Sequence, residues 1–221
     1  LKADLVRFDP ATGEVEPVLS IGEAVEDPFP AFTPTEGGIP LWKRLWAVCG
    51  GHLRVYDRVR NQLRGFDGTG QERAPITLPP TGLSEVTPQE FARAIFPLRQ
   101  AEITGGVGDR LSEEDSLRLI RQVARGAEGT AAQLAAYLPP FVDFRCSPSG
   151  TMWLRPIDLD GAGLTGGRAW LRVDPDGGSR VMMLPPRFDA FRFSEDRVFG
   201  VVRDELDVPS VAWVAVGARV P

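Results

Sequence analysis

AWLRVDPDGGSRVMMLPP, residues 169–186, reads as strand, tight turn, strand. Trp170, Leu171 and Val173 form a β-prone run. Asp174-Pro175-Asp176-Gly177-Gly178 supplies turn chemistry, with Pro presetting φ and Gly accepting positive φ. Val181 to Leu184 returns, and Pro185-Pro186 stops the strand. The unit occurs twice more, as VRFDPATGEVEPVL at 6–19 and LRGFDGTGQERAPITLP at 63–79. A repeated hairpin decides the fold class. It does not name an activity.

Working outward, the same reading predicts thirteen strands in groups of two, four, four and three. Residues 4–9 and 14–19 make a leading hairpin, followed by a Pro-rich connection over 20–44. Leu45 to Cys49, His52 to Tyr56, Leu63 to Phe66 and Ala74 to Leu78 make the first group of four. Phe141 to Cys146, Thr151 to Arg155 and the two strands of the 169–186 unit make the second. Phe188 to Phe193, Val198 to Val202 and Ser210 to Val216 make the last group. The tight Asp-centred turns recur at roughly 50–60 residues once 84–138 is set aside, a spacing typical of four-stranded repeat units.

Residues 84–138 break the strand pattern and read as a helical insertion. Thr87-Pro88-Gln89-Glu90 is a capping box with Pro at the first helical position, predicting a helix over 87–97. Ser112-Glu113-Glu114-Asp115 opens a second over 112–125, with acidic residues at the positive end of the dipole. Its apolar stripe is Leu117, Ile120, Val123 and Ala124. The Ala-rich run 130–138 predicts a third. Both principal helices are expected on the edge of the sheets that carries the long connections.

Composition sets the outer limits. The chain has 221 residues, 43% hydrophobic and 25% charged, as expected of a globular protein. Its 24 glycines and 20 prolines fall at turns between apolar runs rather than in low-complexity tracts. A net charge of −5 argues against a nucleic-acid partner, which calls for a basic patch. No apolar stretch is long enough to span a membrane, and no signal peptide is visible. The two cysteines, Cys49 and Cys146, each end an apolar run just before a turn. They read as small buried hydrophobes, and a bridge requires their strands to be neighbours.

With Trp153 after a Ser-Pro-Ser-Gly turn, then AWLRVDPDGG, then DRVFGVVRDELDVPSVAWVAV, the chain resembles the C-terminal part of bacterial six-bladed β-propeller proteins of the lactonase and NHL-like kind. The resemblance is good over residues 139–216, including Gly200-Val201-Val202-Arg203-Asp204-Glu205, and weaker over 1–80. It implies a mainly β fold: a partial propeller of four-stranded antiparallel blades in one domain, 1–221, with the helical insertion between blades. It also implies that the family's six-bladed ring is completed by blades upstream of Leu1 or by another chain. Open edges at both ends then favour self-association of this chain. An extracytoplasmic or periplasmic location is the family's implication too.

Two functions follow as expectations. The first is a binding module that presents long loops and the insertion on one face to a protein or small-molecule partner. The second is a metal-dependent lactonase-like hydrolase at the channel mouth. For the second, Asp143, Arg145, Asp189 and Arg192 lie on the expected innermost strands, where converging carboxylates suit Ca²⁺. Alternating surface charges and ion pairs explain them as well. Asp158, Asp160, Gly161 and Gly163 give a DxDG without the distant glutamate of a calcium loop, so turn chemistry accounts for it. His52, the one histidine, follows a Gly-Gly turn and reads as a solvated hairpin residue. There is no G-x-S-x-G, Walker loop, CxxC or HExxH. Trp46, Trp153, Trp170 and Trp213 are expected to pack between blades, and Trp42 to be exposed. In Arg203-Asp204-Glu205-Leu206-Asp207, Asp204 is expected to accept backbone N–H bonds. The sequence thus assigns no catalytic residue, metal ligand or cofactor, and leaves the ligand unspecified.

Overall fold

The fold comes from a computed structural model, which describes residues 4–20, 45–80, 83, 86–104, 111–129, 138–159, 167–206 and 208–217. The described strands fall into four antiparallel sheets. Sheet I pairs β1 (Asp4–Phe8) with β2 (Val15–Ser20). Sheet II runs in order through β3 (Trp46–Cys49), β4 (His52–Asp57), β5 (Gln62–Phe66) and β6 (Glu72–Thr77). Sheet III runs through β7 (Phe141–Cys146), β8 (Met152–Pro156), β9 (Ala169–Val173) and β10 (Ser179–Met183). Sheet IV is β11 (Phe188–Phe193), β12 (Arg197–Arg203) and β13 (Pro209–Ala215). The protein is therefore mainly β, built of up-and-down sheets with no closed barrel among the described residues.

The tight turns explain why neighbours in sequence are neighbours in each sheet. Gly50 and Gly51, at φ 56° and 80°, form the two-residue β3–β4 turn that a right-twisted hairpin favours. Asp67 closes the β5–β6 turn, its carboxylate accepting from the Thr69 hydroxyl at 2.6 Å and from the Thr69 and Gln71 amides. Asp176 accepts from Gly178 in the β9–β10 turn. In the β7–β8 turn the Ser147 hydroxyl accepts from the Thr151 amide at 3.1 Å.

Sheets II and III pack face to face. Tyr56 and Leu63 from sheet II meet Phe141, Phe144, Met152 and Leu154 from sheet III, all buried. Tyr56 and Phe141 meet edge to face, with ring centroids 5.2 Å apart. Sheets III and IV share a second core, in which Phe193 lies 5.0 Å from the Trp153 ring and 4.6 Å from Trp170. Burial of an aromatic or aliphatic side chain of this size contributes about 1.5–3 kcal/mol. The far face of sheet IV leaves Phe191, Val211 and Trp213 about half or more exposed. Arg197 covers the Trp213 ring at 4.4 Å.

Cys49 and Cys146 form a disulfide with Cα atoms 5.4 Å apart. The bridge joins β3 to β7, the leading strands of sheets II and III, which share no ladder hydrogen bonds. The two cysteines are thus a cross-link and not a pair of independent buried thiols.

Helix α1 (Pro88–Thr104) continues past the expected end at residue 97. It runs through Pro97, which costs one backbone hydrogen bond without ending the helix. Its start is the predicted capping box: Glu90 N–H donates to the Thr87 hydroxyl at 3.2 Å, and Thr87 N–H donates to the Glu90 carboxylate at 2.8 Å. Helix α2 (Glu113–Ala127) is capped by Ser112, which accepts from Asp115 N–H at 3.1 Å. Its salt-bridged Glu114, Asp115 and Arg118 line the exposed side. The third expected helix, over 130–138, lies outside the described residues except for Leu138.

Candidate binding face

The connections separate into two ends of the sheets. The tight β3–β4 and β7–β8 turns touch: a Cβ at Gly50 would lie 3.5 Å from the Gly150 Cα. Gly150 in turn faces Pro175 of the β9–β10 turn. Arg172, just before that turn, donates to the Glu195 carbonyl of the β11–β12 turn at 3.5 Å. Apart from the Gly50-Gly51 turn, these are closed by their own Asp and Ser side chains. Hydrogen bonds from Thr69, first its hydroxyl and then its amide, hold the Asp67 carboxyl below its usual pKa.

The opposite end carries the longer connections and the helices. Val86, Ala94, Ile95, Ala127 and Leu138 form a buried cluster. Ile157 and Leu159, in the β8–β9 connection, pack against it, so α1 and α2 sit at this end as expected. Arg58, in the β4–β5 turn, donates to the Leu138 carbonyl at 3.1 Å. Asn61, at φ 49°, donates to the Leu78 and Pro79 carbonyls and accepts from the Tyr56 hydroxyl at 3.1 Å. Burial pushes the Tyr56 phenol well above its usual pKa. Asp57 is fully buried, accepting from the Arg60 amide at 3.1 Å and its guanidinium at 2.9 Å. In the β12–β13 loop Asp204 accepts from the Leu206 and Val208 amides at 2.9 Å each, the backbone role expected of it. Arg187 donates to the Asp204 carbonyl from the β10–β11 link. These bonds hold the backbone of the connections and leave Val59, Leu206 and Val208 exposed.

Asp143 and Arg145 lie on β7, and Asp189 and Arg192 on β11. Asp143 is tied to Arg145 at 3.0 Å and to Arg155 at 3.6 Å. Asp189 stands opposite Val201 of β12. Among the described residues, no three His, Cys, Asp or Glu side chains come together in a way that suits a metal. Asp158 lies in the β8–β9 connection, and a Cβ at Gly167 would press on its carboxylate. Asp160, Gly161 and Gly163 fall outside the described residues, as does Trp42.

His52 corrects its expectation. It is half-buried on the face of β4 that points towards sheet III, opposite Cys49 in register. Its Nδ1 is buried without a hydrogen-bond partner among the described residues. Arg54, two residues on, lies over Gly65, where a Cβ would collide with the guanidinium. Burial, and then the charge of Arg73, lowers the Arg54 pKa. The alternation of β4 carries both side chains to this face, because an even spacing on a strand keeps one side. The turn signal at Gly50-Gly51 pointed instead to solvent. Trp153 and Trp170 are buried, whereas Trp46 and Trp213 are half-exposed on the outer faces of sheets II and IV.

No protein-family model, curated protein or solved structure matches this chain. No described helix is long and apolar enough to cross a membrane.

Proposed function

We propose that the chain is a propeller-type binding module that engages a partner at its long-connection end. In this reading sheets II, III and IV are successive blades and β3, β7 and β11 are their innermost strands. Contacts of β7 with both β3 and β11 support it. Sheet I is then the outer half of a preceding blade, as its Asp9 to Gly13 turn matches the third-to-fourth-strand turns of sheets II and III.

The observation that carries the binding face is the difference between the two ends. At one end the turns are short and satisfy themselves through Asp67, Ser147, Asp176 and Ser194. At the other end stand the β6–α1, α2–β7 and β8–β9 connections with the helix pair, and its turns and loops carry Val59, Leu206 and Val208 exposed to solvent. Apolar side chains fixed on connections above a rigid scaffold are what recognition surfaces use.

A photoreactive amino acid placed at Val59 or Leu206, and at Thr69 or Asp176 for the opposite end, tests the assignment. Incubated with extracts of the source cells, the first pair should cross-link a discrete partner and the second should not. Cross-linking that favours Thr69 or Asp176 overturns the reading.

A further inference from the structure

We infer that Cys49–Cys146 is a permanent structural cross-link rather than a redox switch, one that a reducing thiol pool does not open once sheets II and III have packed. The inference stands apart from the binding role proposed above.

The two cysteines hold equivalent places. Each is the last residue of the leading strand of its sheet, immediately before the first tight turn. Sheets II and III are separate ladders, so the bridge is the only covalent or ladder connection between β3 and β7 among the described residues. A Cα separation of 5.4 Å falls within the range a disulfide needs. Beyond the bridge, the Gly50 and Gly150 turns lie within van der Waals reach of each other, a Cβ at Gly50 standing 3.5 Å from the Gly150 Cα.

Burial and connectivity separate this bridge from a redox sensor. Cys49 is 3% exposed and sits in the core shared by the two sheets, with Cys146 packed against that core. A sensor thiol is accessible and stands beside a resolving cysteine. Here the chain has two cysteines, both are in the bridge, and none is left to exchange. The bridged residues are 97 apart in sequence, and the helices α1 and α2 lie within the loop. Closing so long a loop restricts the unfolded chain, so the bridge stabilises the fold; by linkage, packing that holds the two cysteines together favours the bridge more in the folded state than in the unfolded chain.

The chemistry balances as thiol–disulfide exchange. One cysteine thiolate attacks the disulfide of an oxidant, either a small molecule or an oxidoreductase, and one oxidant thiol leaves. The second cysteine thiolate then attacks the mixed disulfide, and the other oxidant thiol leaves. Two protons are released by the chain and two are taken up, and two electrons pass to the oxidant.

Equilibration of the folded protein in glutathione buffers, followed by acid quench, alkylation and mass spectrometry of the Cys49 and Cys146 peptides, tests this. The bridge should remain essentially intact at the reducing ratio of the cytosol. Substantial reduction at that ratio, with the sheets still folded, overturns the inference. A second measurement uses Cys49→Ala/Cys146→Ala. Its unfolding equilibrium constant should rise about a thousandfold relative to the oxidised chain. If the variant does not fold, the glutathione titration of the native protein decides alone. A variant as stable as the oxidised protein counts against the inference.

Discussion

Gly200, in the middle of β12, allows a test of how tightly sheet IV is packed. A methyl group there would lie 2.5 Å from Phe188 Cε1 and 2.6 Å from the Asp189 carbonyl oxygen. The ring could swing aside, but the carbonyl belongs to β11, which pairs with β12 through this very stretch. Gly200→Ala must therefore shift a strand by several tenths of an ångström. Overpacking of this kind costs about 1–3 kcal/mol. Replacing glycine within a strand returns about 0.5–1 kcal/mol of backbone entropy. The net loss is about 0.5–2 kcal/mol, a fall in Tm of roughly 1–8 °C for a chain of this size. Gly126 in α2 serves as the control, because a methyl there meets nothing within 4 Å. Gly126→Ala should stabilise by up to about 1 kcal/mol through helix propensity. Urea and thermal unfolding of both variants measure the two signs. Gly200→Ala as stable as the parent would show that sheet IV has slack its packing does not suggest.

Tyr56→Phe should cost about 1 kcal/mol through the lost bond to Asn61. Because burial raises the Tyr56 pKa in the folded state, its contribution is complete below about pH 10 and is lost as pH rises through the folded value; unfolding in alkaline buffers with and without the substitution checks this. Thr87→Ala should cost about 1 kcal/mol and fray the start of α1, read by amide hydrogen exchange at residues 89–91. Glu90 is held below its usual pKa by the Thr87 amide and hydroxyl, so this stabilisation is present above the usual carboxylate range and fades as pH falls through the lowered value. The exposed Phe191, Val211 and Trp213 on sheet IV should drive concentration-dependent self-association in light scattering, weakened by Val211→Lys; a monodisperse monomer at all concentrations refutes it.

The strand pattern was legible because each turn carries its own chemistry. Asp67, Ser147 and Asp176 close turns through bonds to residues no more than four positions away, so local sequence suffices. The same holds for the Thr87 and Ser112 caps and for Asp204. What escaped the sequence is what depends on distant partners. Cys49 and Cys146 become a bridge only when two sheets align their leading strands. His52 looks like a hairpin residue until sheet III is laid against β4. The helix read over 87–97 continues in α1 to Thr104. Trp46 and Trp213 share the strand setting of Trp153 and Trp170, and only the order of the sheets decides which faces are covered. The exposed Val59, Leu206 and Val208 carry no motif at all. Their interest lies in the end of the sheets at which they stand.

The bridge between β3 and β7 also changes how the protein responds to mechanical load. Tension applied at the termini bypasses the covalently closed loop, so the backbone between Cys49 and Cys146 cannot be drawn out however far the sheets come apart. With 97 residues shielded at roughly 3.3–3.6 Å each, the oxidised chain should extend about 32–35 nm less than the reduced one in a single-molecule pulling trace. Sheet IV lies outside the loop and would yield to its full length, whereas the helix pair and most of sheet II lie within it. A stretched molecule would thus keep a slack, unloaded segment containing α1 and α2, and the length of that missing extension would report the state of one bond.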